Sequence, residues 1–152
     1  MNEKERPSVF GKSLQLVNGD LSFADGDLTT IAGQDNFLQA MQVMIETPFG
    51  TDIFNVNYGF DLMSSISQPQ SVRLIKELIR LNIVKSLSLD DRVREIKEIV
   101  FDDEPRFFEI NPQQNAEESR QARKASRRWQ AMIVLQTIPE GEVALRLEGI
   151  GL

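Results

Sequence analysis

The chain has 152 residues, a net charge of −6, no cysteine and no histidine. That length suits one domain with a real core. The missing residue types rule out disulfides, thiolate nucleophiles, zinc–thiolate sites and the commonest general base, and the acidic balance argues against general nucleic-acid binding.

No run of about 18 uninterrupted apolar residues occurs, so no membrane insertion is expected. The polar start, Met1 to Pro7, does not read as a secretory signal. Residues 1–12 read as a flexible arm and 13–152 as a single domain. Leu14 and Leu16 alternate with polar neighbours before Asn18-Gly19, and Leu21 to Phe23 leads to Asp25-Gly26-Asp27. Asn-Gly tolerates positive φ at both positions, so residues 13–31 predict one or two small hairpins.

Gly33-Gln34-Asp35 opens a first helix, in which Phe37, Leu38, Met41, Met44 and Ile45 recur at helical spacing. Pro48 and Gly50 end it. Residues 51–62 read as irregular. Within them Tyr58 and Gly59 form a structural corner, a buried ring beside a glycine that lets the chain turn. A second helix is expected from about Pro69 to Leu87, capped by Ser67. Its stripe is Val72, Ile75, Leu78, Ile79, Ile83 and Leu87, widened by Leu74, Leu81 and Val84. Arg73, Lys76, Glu77, Arg80 and Lys85 mark its wet face.

After Arg92 the period becomes 2, and Val93 to Phe101 reads as a strand covered on both faces near its end. Asp102 to Pro105 reads as a turn and Arg106 to Ile110 as a short extended piece. Residues 111–128 hold no large apolar residue and read as a solvated hairpin loop. Arg120, Lys124 and Arg127 would make a basic face if that segment were helical. Trp129 to Ile138 and Val143 to Glu148 then read as two strands of a C-terminal hairpin, whose edge is blunted or used to accept another strand. The fold expected is α+β, with two main helices packed on a small, mostly antiparallel sheet.

Taken in order, these pieces resemble the small baseplate wedge protein of contractile phage tails. That family includes the sheath-initiating baseplate component of type VI secretion and contractile injection systems, and its members have been labelled lysozyme-like. The resemblance covers about residues 20–150 and rests on five features. They are a hairpin carrying Gly26-Asp27-Leu28, a helix ending in Thr47-Pro48-Phe49-Gly50, the run Asn57 to Leu62, a long helix closed by acidic-x-Arg, and a β-rich tail.

The family signature Glu-Pro-Arg stands literally at Glu104-Pro105-Arg106, one strand beyond its expected place. Asp90-Asp91-Arg92 occupies that place, with Asp91 where the family has proline. The resemblance therefore implies wedge anchoring by Asp90 and Arg92, with Glu104 and Arg106 as the alternative pair. It also implies sheath contact along the strands of Trp129, Ile133, Leu135, Val143, Leu145 and Leu147.

The implied role is structural. The chain would dock on baseplate wedge proteins and template sheath polymerisation by strand exchange with the first sheath ring, in about six copies. It would need no cofactor or metal, perform no catalysis and bind no nucleic acid. Its implied location is the bacterial cytoplasm during assembly and then the baseplate.

Two other readings compete. A peptidoglycan glycoside hydrolase would need two carboxylates across a cleft, about 5–9.5 Å apart. With 23 acidic residues a pair can always be nominated. An interaction module would bind an acidic partner through residues 120–128.

Overall fold

The computed structural model describes residues 9–62, 71–126, 128–138 and 141–151. It is an α+β fold. A ribbon of short strands leads into two principal helices, which pack on one face of a three-stranded antiparallel sheet.

In the ribbon, β1 (Lys12–Leu14) pairs with β6 (Thr30–Ala32) and closes around two hairpins. These are β2 (Leu16–Val17) with β3 (Asp20–Leu21), and β4 (Phe23–Ala24) with β5 (Asp27–Leu28). Their turns have positive φ at Asn18 (53°) and Gly19 (85°), and at Asp25 (53°) and Gly26 (84°). That geometry matches the right-handed twist of the flanking strands. Residues 9–12 are not a loose arm. Phe10 packs on Phe37 with ring centroids 5.4 Å apart, and its carbonyl accepts from Asn36 Nδ2 at 2.7 Å.

Helix α1 (Gly33–Glu46) buries Phe37, Met41, Met44 and Ile45, the face its spacing predicts. Thr47 closes it by donating from Oγ1 to the Val43 carbonyl at 2.6 Å, and Pro48 follows. Helix α2 (Val72–Leu87) is capped by Ser71, whose Oγ accepts from the Leu74 N–H at 3.3 Å. The expected cap Ser67 and first-turn Pro69 lie outside the described residues. Ile75, Ile79, Ile83 and Leu87 form the buried stripe, each contributing about 1.5–3 kcal/mol.

The stripe departs from expectation in three ways, the first being that Val72, expected to begin it, is exposed. Leu74, Leu81 and Val84 do not widen the core, because they point away from it and stay exposed. Lys76 and Arg80 are not on the wet face. Lys76 is buried, and both cations lie over the Phe101 ring, at 5.3 and 5.0 Å from its centroid. Their ion partners come from the turn after the next strand.

The sheet order is β7 (Val93–Phe101), β8 (Arg128–Thr137), β9 (Gly141–Gly151). The central β8 is buried from Ala131 through Leu135, which explains its unbroken apolar run. Ile133, Leu135, Val143, Leu145 and Leu147 face α1 and α2 in the main core with Phe101 and Trp129. On the opposite face Val100 and Met132 meet Phe107. The end of β7 is therefore covered on both sides, as expected.

Phe107 belongs to a helix. The segment expected to be extended is α3 (Pro105–Ile110). Proline in the first turn loses no intrahelical bond there, and Arg106 bridges to Glu109 one turn on. Residues 111–128 are also not a plain loop, because α4 (Ala116–Ser126) fills most of the segment and buries no residue.

Candidate functional site

Asp90 and Arg92 close on each other between the end of α2 and the start of β7. Arg92 donates from Nε to Asp90 Oδ1 at 2.8 Å and from Nη2 to Oδ2 at 2.6 Å. Its backbone N–H also reaches Oδ1, at 2.9 Å. The third guanidinium nitrogen, Nη1, donates to the Phe10 carbonyl at 3.2 Å, and the group lies 5.2 Å from the Phe37 ring centroid. A planar fork holding both oxygens of one carboxylate is the geometry that favours arginine over lysine. Burial alone would raise the Asp90 carboxyl, but the Arg92 hydrogen bonds outweigh it and hold it below its ordinary value. The hydrogen bonds to Asp90 raise Arg92 in turn. The element is an internal clip joining the N-terminal segment, α1 and the head of β7.

The literal Glu104-Pro105-Arg106 makes no such pair. Glu104 binds Arg80 of α2. Arg106 is 54% exposed and bridges Glu98 at 2.9 Å and Glu109 at 3.0 Å. Its pKa is raised mainly by the hydrogen bond to Glu98. The two members of the string point to different neighbours, while Asp90 and Arg92 hold each other.

The corner at Tyr58 and Gly59 locks the exit of α1 to α2. Phe60 N–H donates to the Thr47 carbonyl at 2.8 Å, and Gly50 N–H to the Tyr58 carbonyl at 3.2 Å. From α2, Ser86 Oγ donates to the Gly59 carbonyl at 2.9 Å and Asn82 Nδ2 to the Asp61 carbonyl at 2.8 Å. Gly59 has φ 106°, and a β-carbon there would stand 2.6 Å from the Thr47 oxygen and 2.9 Å from that of Pro48. Only glycine fits. Tyr58 is half-buried against the core rather than fully enclosed. Its phenol is raised, first by burial and then by the Asp52 and Asp90 carboxylates, so corner and clip are electrostatic neighbours.

The six residues expected to contact sheath, Trp129, Ile133, Leu135, Val143, Leu145 and Leu147, are all buried in the chain's own core. Their side chains are not free for a partner. What β9 leaves open is its outer edge and the exposed residues Glu142, Ala144, Arg146 and Glu148.

Three features escaped sequence reading. The turn Asp102-Asp103-Glu104 is clamped acid by acid, with Asp103 on Lys76, Glu104 on Arg80, and Asp102 on Arg123 of α4 at 3.3 Å. Lys76 stands three residues before Ile79 and seven before Ile83, and that spacing was the available signal. Asp102 is 2% exposed, its Oδ1 has no partner within the described structure, and burial raises its pKa. Finally, Asp52 Oδ1 accepts from the N–H groups of Phe54 and Asn55 at 2.8 and 3.0 Å. This pins a loop that presents Ile53 and Phe54 almost fully to solvent.

Among the described residues no group of three or more Asp or Glu is placed to hold a metal ion, and no helix is long and apolar enough to cross a membrane. Comparison with family models, with curated proteins and with solved structures returns no match. The class defined by the fold is α+β, with an open-edged antiparallel sheet on a two-helix layer.

Proposed function

We propose that the chain is a structural baseplate subunit of a contractile tail or injection machine, and that it catalyses no reaction. It docks on wedge proteins near the Asp90–Arg92 clip and starts sheath assembly by accepting a strand at β9. It is made in the bacterial cytoplasm and ends in the baseplate of the particle.

One observation carries this reading, the open edge of β9. Strand β8 is paired on both sides, whereas β9 has β8 on one side and, among the described residues, no strand on the other. An edge this long is normally blunted by proline, a bulge or inward-pointing charge. Here a bulge interrupts β9 only near its end, where Gly149 has φ 75°. From Gly141 to Leu147 the pairing is regular, and the inward residues Val143, Leu145 and Leu147 are apolar and buried. Its outward charges Arg146 and Glu148 neutralise each other at 3.1 Å. Added-strand recognition takes affinity from main-chain hydrogen bonds, so buried side chains do not obstruct it.

The clip supports the docking role through rigidity, because a pre-ordered surface loses less entropy on binding. The glycoside hydrolase reading gains nothing comparable. Asp102, a carboxyl held above its ordinary value, is sealed inside the fold.

The chain has no cysteine, so Ala144→Cys on the exposed side of β9 creates a unique cross-linking site. In assembling particles it is expected to capture the sheath subunit. Capture of no particle protein, together with normal sheathing of particles from cells lacking the chain, would overturn the proposal.

A further inference from the structure

Charge is distributed along this chain with unusual asymmetry. Between Ser13 and Val72 there is no lysine or arginine, and there are seven acidic residues. Between Arg120 and Arg128 there are five basic residues and no acid. The first stretch contains all of the ribbon except Lys12 at the start of β1, and the ribbon rests on α1 through contacts such as Leu16 N–H to Gln39 Oε1 at 2.8 Å. The second contains most of α4, which packs on β8 and the turn after β7.

Helix α4 is held from below and bare above. None of its residues is buried, and 11 residues are too few for a stable helix in isolation. Asn115 caps it, accepting from Glu117 N–H at 2.9 Å. Arg123 fixes it by donating to the carbonyl and carboxylate of Asp102. With Arg123 so engaged, Arg120, Lys124 and Arg128 remain exposed and form no ion pair with any described residue. A helix polar all round that nevertheless has a fixed position fits a bridging role.

The ribbon offers a matching surface. Asp20, Asp25 and Asp27 are exposed and form no ion pair within the described structure. Beside them Phe23 is 67% exposed, on the strand whose Ala24 is paired with Asp27. Carboxylates next to an open aromatic face suit a guanidinium, which can pair with the acid and stack on the ring. The long stems of arginine and lysine can cover the apolar part.

We propose that α4 of one copy docks on the acidic ribbon of a second copy of this chain. The two patches are different surfaces, so the contact is head-to-tail and propagates into a ring or an open chain of copies. The inference is separable from strand acceptance at β9, since the acidic ribbon is remote from that strand in sequence and of the basic patch only Arg128, on β8 beside Gly149, approaches it.

The test is sedimentation velocity of the full chain over a range of concentrations and salt. Association is expected at low ionic strength and should weaken roughly tenfold or more between about 50 and 300 mM NaCl. The variant R120E/K124E/R128E should be monomeric, and so should D25K/D27K, each with unchanged circular dichroism. Mixing the two variants should restore association, because each reversed patch then meets a complementary one. A wild-type chain that stays monomeric at low salt would overturn the proposal, and so would association that survives both charge reversals. Failure of the mixture to associate would also overturn it. Salt-sensitive retention of the wild type on heparin without self-association would reassign α4 to a polyanion.

Discussion

Replacing Gly59 by alanine puts the corner under direct test. At φ 106° an alanine lies outside the regions open to L-residues, a strain of about 1–3 kcal/mol. The added β-carbon would meet backbone, the Thr47 oxygen at 2.6 Å and the Pro48 oxygen at 2.9 Å, and neither can swing aside as a side chain can. Relief requires the chain to pull away from α1. That loosens the Phe60 to Thr47 bond at 2.8 Å and the buried Ser86 to Gly59 bond at 2.9 Å, at about 0.5–1.5 kcal/mol each. The sum is about 2–6 kcal/mol, a large part of the roughly 5–15 kcal/mol that holds a domain folded.

Gly26→Ala is the control. Its φ of 84° imposes backbone strain too, but nothing stands within 4 Å of the added carbon. Urea unfolding of the purified variants, followed by circular dichroism, measures both. Gly59→Ala should shift the midpoint far more than Gly26→Ala. Equal shifts would mean that close approach to α1 contributes nothing, and the account of the corner would fail.

Three further outcomes are expected. Arg92→Ala should cost about 2–3 kcal/mol in the same unfolding assay, because it takes both side-chain donors from the partly buried Asp90 carboxylate and one of the donors from the Phe10 carbonyl, which keeps Asn36. Arg106→Ala should leave the midpoint unchanged, since its partners are solvated, and a larger loss at Arg106 than at Arg92 would reverse the assignment. The two aspartates should give opposite pH trends. Asp102 is raised on folding, so the wild type should lose stability as pH rises from the ordinary Asp value of about 3.9 through the raised folded value. Asp102→Asn should abolish that fall, and a persisting fall would assign it to another group. Asp90 is lowered, so its contribution is present above about pH 3.9 and is lost as pH falls through the depressed folded value. Asp90→Asn should flatten that acid limb of the stability curve, and an unaltered limb would count against the clip.

Local rules carried much of the fold in advance. Asn18-Gly19 and Asp25-Gly26 read as tight turns because positive φ is a property of those residues themselves. The buried face of α1 and the central stripe of α2 followed from spacing alone, as did the two-sided cover at the end of β7. Order along the chain singled out Asp90 and Arg92 as a wedge-anchoring pair, though not that they bind each other within the chain, and the corner was marked by one tyrosine beside one glycine.

Tertiary structure decided the rest. Arg106 to Ile110 is a helix because Phe107 finds Val100 and Met132 beneath it, and Met132 comes from a strand that no window around Phe107 contains. Lys76 and Arg80 turn inward because the acids of the 102–104 turn, more than 20 residues away, neutralise them there. The Phe10 carbonyl meets Arg92 across 82 residues. The six residues that marked the strands expected to meet sheath turn their side chains into the core, because periodicity marks which side of a strand is apolar but not what that side packs against. Sequence by itself determined the tight turns and the main apolar faces, since those depend on neighbours within a few residues. Which faces meet, which charges pair and which edge stays open depend on contacts between distant segments, and these exist only once the chain has folded.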